Sequence, residues 1–408
     1  VASAAAATIY DRRLDELSAG DARLPLVSLV LINFNYAQYV GKAIQSIRSQ
    51  DYPHIEATVV DNASTDTSRD VIAANVANDP RFKIIHSDRN EFVMAAALRG
   101  LEASSGTFVC FIDADDFLFS NFVSTHVQVH LALPHGVAFT SGNVVEIAGD
   151  GSVLSGGRRH LVKVNPDKRG LRAADSVLRL ATIGDEDFER LGEGVITLSQ
   201  TKKGWLWSTG TANFYRRNVL EFARPSRSGA NLAHLSADGY FARFAHWLGG
   251  SALIARPLSA HRIHGGNVFG VGPSMIGMIG GAGRARQWVP ERRRYLLRSV
   301  IEHADKISER TAPGRFWGIL DQALDALDRP LEEELRENSV QAAFADNFAK
   351  LVECFGLGPT IIQLRSRLGR APLWRIVKRA HKGRVPAHVR GLVLRAEIAR
   401  GLRRLRGR

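Results

Sequence analysis

The chain has 408 residues, 45% apolar and 23% charged, which is a soluble globular composition with room for one large domain plus an appendage, or for two domains. No apolar run approaches the roughly 18 residues that cross a bilayer, the Ala-rich residues 1–7 lack the basic start and apolar centre of a signal peptide, and two cysteines, Cys110 and Cys354, make no disulfide framework, so a cytoplasmic protein is expected. The formal net charge of +13 sits in residues 365–408, which hold 15 Lys and Arg against one acid, Glu397; the remainder is close to neutral, which argues against a main domain that grips nucleic acid.

Taken in chain order, residues 1–23 read as an N-terminal extension. Residues 24–116 alternate strand and helix. Apolar runs at 26–32, 55–60, 82–85 and 108–112 predict strands, and amphipathic segments at 43–49, 71–77 and 95–102 predict the helices between them. Such regular alternation is the signature of βαβ units and a parallel sheet, so the fold class is α/β with helices flanking the sheet. Asp61 ends the second strand as Asp113 ends the fourth, and ligands of open α/β sheets bind at the carboxyl ends of strands. Over 117–269 the chain changes to strand pairs with a turn at Asp150-Gly151, then a strand over 211–216, a helix over 237–248 and a strand over 251–263. Residues 270–289 are too glycine-rich for a stable helix and read as a linker or a lid. A helical region is expected over 290–364 and a basic amphipathic tail over 365–408.

The chemistry concentrates at Phe111-Ile112-Asp113-Ala114-Asp115-Asp116. Three carboxylates at the end of a buried strand are costly unless a cation or hydrogen-bond donors share the site. Hard divalent cations prefer carboxylate oxygens, and Mg²⁺ or Mn²⁺ commonly bridges one or two of them to substrate phosphates. A D-x-D run by itself is as readily the acidic cap of the following helix.

Three segments in order, Val27-Ser-Leu-Val-Leu-Ile-Asn-Phe-Asn-Tyr36, Val59-Val-Asp-Asn-Ala-Ser-Thr-Asp66 and Phe111 to Asp116, resemble the family 2 glycosyltransferases of GT-A fold, over about residues 25–270. The resemblance implies a nucleotide-sugar-binding half at 24–116 and an acceptor-binding, catalytic half at 117–269. It implies transfer of a sugar, with inversion, from a nucleotide-diphosphate donor, a UDP-sugar foremost, to a hydroxyl of a saccharide or lipid-linked acceptor in cell-surface glycan synthesis. By it Asn33, Phe34 and Asn35 line the base pocket, Asp61 accepts from the base, and Arg89 and Asn90 touch base or ribose. Asp113 and Ala114 lie against the donor, Asp113 and Asp115 with His264 hold Mn²⁺ or Mg²⁺, and Arg262 offsets phosphate charge. Asp238 resembles the general base, with the N-terminal turn of a helix as its other reading, and Asp116 is a capping carboxylate. Several positions depart from the pattern: Ile32-Asn33 for Pro-Thr, Phe92 for Gly, Leu98 for Asn and Ala237 for Glu. These keep open a second function, a degenerate transferase domain that binds glycan or nucleotide without catalysis. Trp205 and Trp207 are candidates to stack on an acceptor sugar or to sit in the core. In the tail, Leu394, Ile398, Leu402 and Leu405 fall on one helical stripe among arginines, with Trp374, Ile376 and Val377 upstream. A basic amphipathic helix reads as an anchor on an anionic membrane, here the inner face of the cell membrane, or as a solvated or oligomer-facing helix.

Overall fold

The structure, a computed structural model, describes residues 23–157, 168–172, 180, 182–225, 235–264, 289–312, 314–327, 330–335 and 338–395. Residues 270–288 of the glycine-rich stretch and the tail residues Ile398, Leu402 and Leu405 lie outside them. The described residues fall into two compact units, one of 23–222 with 235–264 and one of 223–225 with 289–395.

In the first unit the four apolar runs form β1 (Val27–Asn33), β2 (Ile55–Asp61), β3 (Phe82–His86) and β4 (Phe108–Asp113). They lie in the parallel order β3-β2-β1-β4. β1 is buried along its whole length, as a strand covered on both faces must be, whereas β3 at the edge is partly exposed. Register fixes the site: Asn33 pairs with Asp61, and Ile32 with Asp113, so the polar residue closing each strand arrives at one level.

The intervening helices are α1 (Ala37–Arg48), α2 (Ser68–Val76) and α3 (Phe92–Glu102). Each begins three to six residues before the predicted segment. Gly100 lets α3 lie close on the sheet: a Cβ there would stand 2.1 Å from Cγ1 of Val30 on β1.

Beyond β4 the chain forms β5 (Phe117–Leu118), α4 (Phe122–Ala132), β6 (Phe139–Ala148), β7 (Val153–Ser155), β8 (Lys168–Arg169), α5 (Asp185–Glu193), β9 (Val195–Leu198), β10 (Asn213–Arg216), α6 (Arg217–Phe222), α7 (Ala237–Gly249) and β11 (Ser251–Ile263). The sheet continues β4-β10-β6-β11-β9-β8, with β10 antiparallel to both neighbours and β6 parallel to β11. β6 turns into β7 at Asp150-Gly151, where Gly151 takes φ +93° and the Asp150 carboxylate accepts from Ser152 N–H at 2.9 Å. The result is the α/β sheet flanked by helices that the alternation implied.

The second unit is helical: α8 (Val289–Glu302), α9 (Ala304–Arg310), α10 (Arg315–Asp325), α11 (Leu331–Glu334), α12 (Asn338–Asp346), α13 (Phe348–Phe355), α14 (Leu357–Leu368), α15 (Arg370–Ala380) and α16 (Ala387–Arg395). Its core includes Leu297, Ile319, Leu320, Phe344, Leu351 and Leu364. Arg294 is paired with the buried Glu334 at 2.7 Å, and Arg367 with Asp321 at 2.6 Å. The described part of the expected basic amphipathic tail, 365–395, is helical and belongs to this unit. Ile376 and Val377 are fully buried, because α15 turns its apolar side inward.

Candidate active site

The loops that follow β1, β2 and β3 are tied together by side-chain amides and carboxylates. Asn33 Nδ2 donates to Asp61 Oδ1 at 3.1 Å and to Ser64 Oγ at 3.0 Å. Asn35 takes φ +57°, and its Oδ1 accepts from Thr65 N–H at 2.7 Å, so its side chain clamps two loops together. Asn62 Nδ2 donates to Asn90 Oδ1 at 2.9 Å, and the same oxygen accepts from Phe92 N–H. Phe92 itself takes φ +65°, the left-handed region that glycine enters without steric cost. Phe34 and Phe92 are both exposed. Arg89 is exposed, with Nε 3.5 Å from Glu91 Oε1.

Asp61 has no exposed side-chain surface. Arg69 Nε, on the first turn of α2, donates to its Oδ2 at 3.0 Å, and His86 Nδ1 lies 3.6 Å from the same oxygen. Burial alone would raise the carboxyl pKa, but hydrogen bonds from Ser64, Arg69 and Asn33 hold it below the usual range. Arg69, eight residues beyond Asp61, carried no signal in the linear pattern.

At the end of β4 the acids take unequal environments. Asp116 is a tie: Oδ1 accepts from Arg262 N–H at 2.9 Å and lies 3.2 Å from His261 Nδ1, while Oδ2 accepts from Thr211 Oγ at 2.7 Å. Burial opposes its ionisation, yet His261 and these donors hold its pKa below the ordinary value. Asp115 Oδ2 lies 3.0 Å from His264 Nε2, so β4 and the end of β11 meet there as the resemblance implied. Burial first, and then the charges of Asp115, Asp116 and Asp238, push Asp113 well above the usual carboxylate range. Ala114 is buried and its N–H donates to Ile32 C=O at 3.1 Å, so its part is the turn. Arg262 is also buried, its Nε on Asp115 C=O at 2.9 Å and its Nη1 on the carbonyls of Ala148 and Gly149. It thus props the acidic turn, with its guanidinium 4.5 Å over the Tyr39 ring. Tyr36 and Tyr39 flank His264 at ring-centroid distances of 5.5 and 5.4 Å. Burial, followed by the charge of Asp115 and its neighbours, raises the Tyr36 phenol pKa.

Asp238 approaches from α7. Ser236 caps this helix, its Oγ accepting from Gly239 N–H at 3.2 Å, and Asp238 occupies the first turn, where a carboxylate suits the helix dipole. Gly210 lies close to both Asp238 and Asp113: a Cβ on Gly210 would be 3.5 Å from Asp113 Oδ2 and 3.5 Å from Asp238 Cβ. Trp207 belongs to the core, donating from Nε1 to Ser251 Oγ at 2.9 Å. Trp205 is half-buried and lies under the Arg243 guanidinium at 5.4 Å. Thr211, His261, Tyr36 and Tyr39 were missed in the sequence because each acts through a partner distant along the chain.

Among the described residues no three His, Cys, Asp or Glu side chains form a metal cage. Mg²⁺ and Mn²⁺ sites of phosphate-handling enzymes need none, since one or two carboxylates, substrate phosphates and waters complete the shell. Asp115 Oδ2 and His264 Nε2 are joined by a hydrogen bond at 3.0 Å. The crowding of carboxylates at Asp113 is of the kind that a cation relieves. Carboxylate oxygens are the donors that Mg²⁺ and Mn²⁺ prefer.

An α/β domain with an acidic crevice at the carboxyl ends of its parallel strands is, as a class, a ligand-binding enzyme domain. Residues 28–175 match glycosyl transferase family 2. Over that segment the chain is similar to the family 2 glycosyltransferases. It is 27% identical over 206 residues to an uncharacterized glycosyltransferase of Haemophilus influenzae, covering 47% of this chain and 80% of that protein. It is 33% identical over 106 residues to GalNAc(5)-diNAcBac-PP-undecaprenol beta-1,3-glucosyltransferase of Campylobacter jejuni, covering 26% of this chain and 34% of that protein. Among solved structures, S. aureus TarS 1–349 in complex with UDP-GlcNAc superposes with a TM-score of 0.48 at 13% identity, over 88% of this chain and 91% of that one.

Proposed function

We propose that this chain transfers a sugar, with inversion, from a UDP-sugar to a hydroxyl of a saccharide or lipid-linked acceptor in cell-surface glycan synthesis. The observation that carries the reading is that Asp113 and Asp238 both stand next to Gly210, while Asp115, two residues beyond Asp113, is in contact with His264. The named acceptor of the Campylobacter relative, a diphosphoundecaprenol-linked glycan, supports a lipid-linked acceptor and a peripheral position on the inner face of the cell membrane.

Asp238 takes the proton of the acceptor hydroxyl as that oxygen attacks the anomeric carbon. The new C–O bond forms opposite the breaking bond to the diphosphate, which departs with the electron pair, and the configuration inverts. Asp113, Asp115 and His264 are the residues that would hold a divalent cation, which when bound would supply charge neutralisation for the leaving diphosphate. Asn33, Phe34 and Asn35 shape the base pocket beside Asp61, with Arg89 and Asn90 on its outer rim. Asp116 and Arg262 hold the acidic turn in place. Asp238→Asn should lower sugar transfer by a factor of about 100–10,000 while leaving UDP binding unchanged, measured by nucleotide release and by calorimetry with Mn²⁺ present. A fully active Asp238→Asn enzyme refutes the base assignment, and a chain that releases no nucleotide from any UDP-, GDP- or dTDP-sugar refutes the transferase reading.

A further inference from the structure

Between Cys354 and Ala396 the sequence holds ten Lys and Arg and no Asp or Glu. The structure folds residues 357–395 of this stretch into α14, α15 and α16, whose apolar sides are internal: Leu364, Leu373, Ile376, Val377 and Val393 are all buried. Folding therefore sorts the stretch: Arg367 turns to Asp321 and Arg365 to the Val393 carbonyl, while Arg375, Lys378, Lys382, Arg384 and Arg390 are exposed. Four large apolar side chains nonetheless remain on that surface: Ile362 is 57% exposed, Trp374 36%, Leu392 36% and Leu394 52%.

Their placement is not scattered. On α15, Arg370, Trp374 and Lys378 are four residues apart and share one face of the helix, with Arg375 beside them; all four are exposed. On α16, which packs against α15, Arg390 and Leu394 repeat the spacing, and both are exposed. Lys382 and Arg384 extend the positive field into the turn between the two helices. A single-sign field of this kind draws an extended anionic surface. Polyanions such as nucleic acid would satisfy the charges but not Leu392 and Leu394, which are aliphatic and offer no base a stacking face. An indole and aliphatic side chains set among cations match the interfacial zone of a bilayer, where rings and methyl groups enter the headgroup layer while the cations meet lipid phosphates.

We propose that the outer face of α15 and α16 docks on an anionic phospholipid membrane. Trp374 and Leu394 enter the headgroup layer, and Arg375, Lys378, Lys382 and Arg390 pair with lipid phosphates. The surface stands on its own residues; it rests on the transferase reading only for its use, which is to keep the enzyme beside a lipid-linked acceptor.

The test is co-sedimentation of the full chain with phosphatidylcholine vesicles, with and without phosphatidylglycerol, at low and high salt. Binding should require phosphatidylglycerol and fall as salt rises. Arg375→Gln with Lys378→Gln should lower the partition coefficient on the order of tenfold or more. Vesicles should blue-shift tryptophan emission in the parent chain and not in Trp374→Phe. All three positions are exposed, so an unchanged melting temperature separates lost docking from lost folding. Equal binding to both vesicle types, equal binding by the variants, or no binding at all overturns the proposal. So does variant-sensitive binding to heparin or duplex DNA without binding to vesicles, which would make the partner a soluble polyanion. Nucleotide release from donor sugars is measured without vesicles, so failure of the docking surface and failure of the transferase reading are told apart.

Discussion

Two histidines in α4 make the stability of the first unit sensitive to acid. His126 and His130 are buried, one turn apart, and share the hydroxyl of Thr140, at 2.6 Å from His126 Nδ1 and 3.3 Å from His130 Nε2. His126 stacks on Phe214 with a centroid separation of 5.0 Å, and its Nε2 has no hydrogen-bond partner among the described residues. A protonated ring would bury an unanswered N–H and a charge. Burial accordingly pushes His126 down to about 3, and burial together with the Arg216 charge pushes His130 well below its ordinary value. The sign follows from linkage. Both folded-state pKa values lie below the unfolded value of about 6.5, so below that pH the unfolded chain binds more protons and stability falls with pH. From pH 7 to pH 5 the loss is about 2 kcal/mol for His126, and His130 adds to it in the same direction. The raised pKa values of Asp113 and Asp115 act in the opposite direction, so the assay has to be differential. Urea unfolding of the parent chain and of His126→Gln, His130→Gln and the double variant at both pH values supplies it. The parent should lose about 2 kcal/mol more than His126→Gln, more than His130→Gln as well, and most in comparison with the double variant. Equal losses in all four proteins would show that these imidazoles are not held neutral.

Other expectations rest on single contacts. Gly210→Leu should fill the gap between Asp113 and Asp238 and abolish nucleotide release with little change in melting temperature, whereas Gly210→Ala, whose Cβ meets nothing closer than 3.5 Å, should stay active. Gly100→Ala drives a Cβ into Val30 and should cost about 1–3 kcal/mol in urea unfolding, with part of the loss restored by Val30→Ala. Phe92→Gly should stabilise the chain by about 0.5–1 kcal/mol, because it relieves a left-handed residue that is 51% exposed and loses little packing. Arg69→Ala removes a donor from Asp61 and should raise that carboxyl pKa, followed by NMR titration; because its depressed pKa contributes stability only above about pH 4, the variant's deficit should shrink as pH falls through that range.

By itself the sequence determined whatever depends on neighbours along the chain. The period of apolar residues sets which segments are strands and which are helices, and Asp61 and Asp113 had to close parallel strands at one edge because each ends such a run. The resemblance implied that Asp115, His264 and Asp238 share one crevice; in the structure Asp115 contacts His264, and Asp238 stands near Gly210 and Asp113. Tertiary structure decided what depends on partners far apart in sequence. Asp116 became a tie because Thr211, His261 and Arg262 converge on it across 95 to 146 residues. Arg262 faces carbonyls because the acidic turn closes over it. Trp207 went to the core while Trp205 stayed at the surface, although the two are only two residues apart, because the packing of Ser251 and His246 reaches only one of them. The basic tail shows the same division. Its charge and amphipathic pattern were plain in the sequence, but the pattern is equally satisfied by a lipid or by other helices. Only the packing of α14, α15 and α16 shows which apolar residues the protein keeps and which it leaves outside.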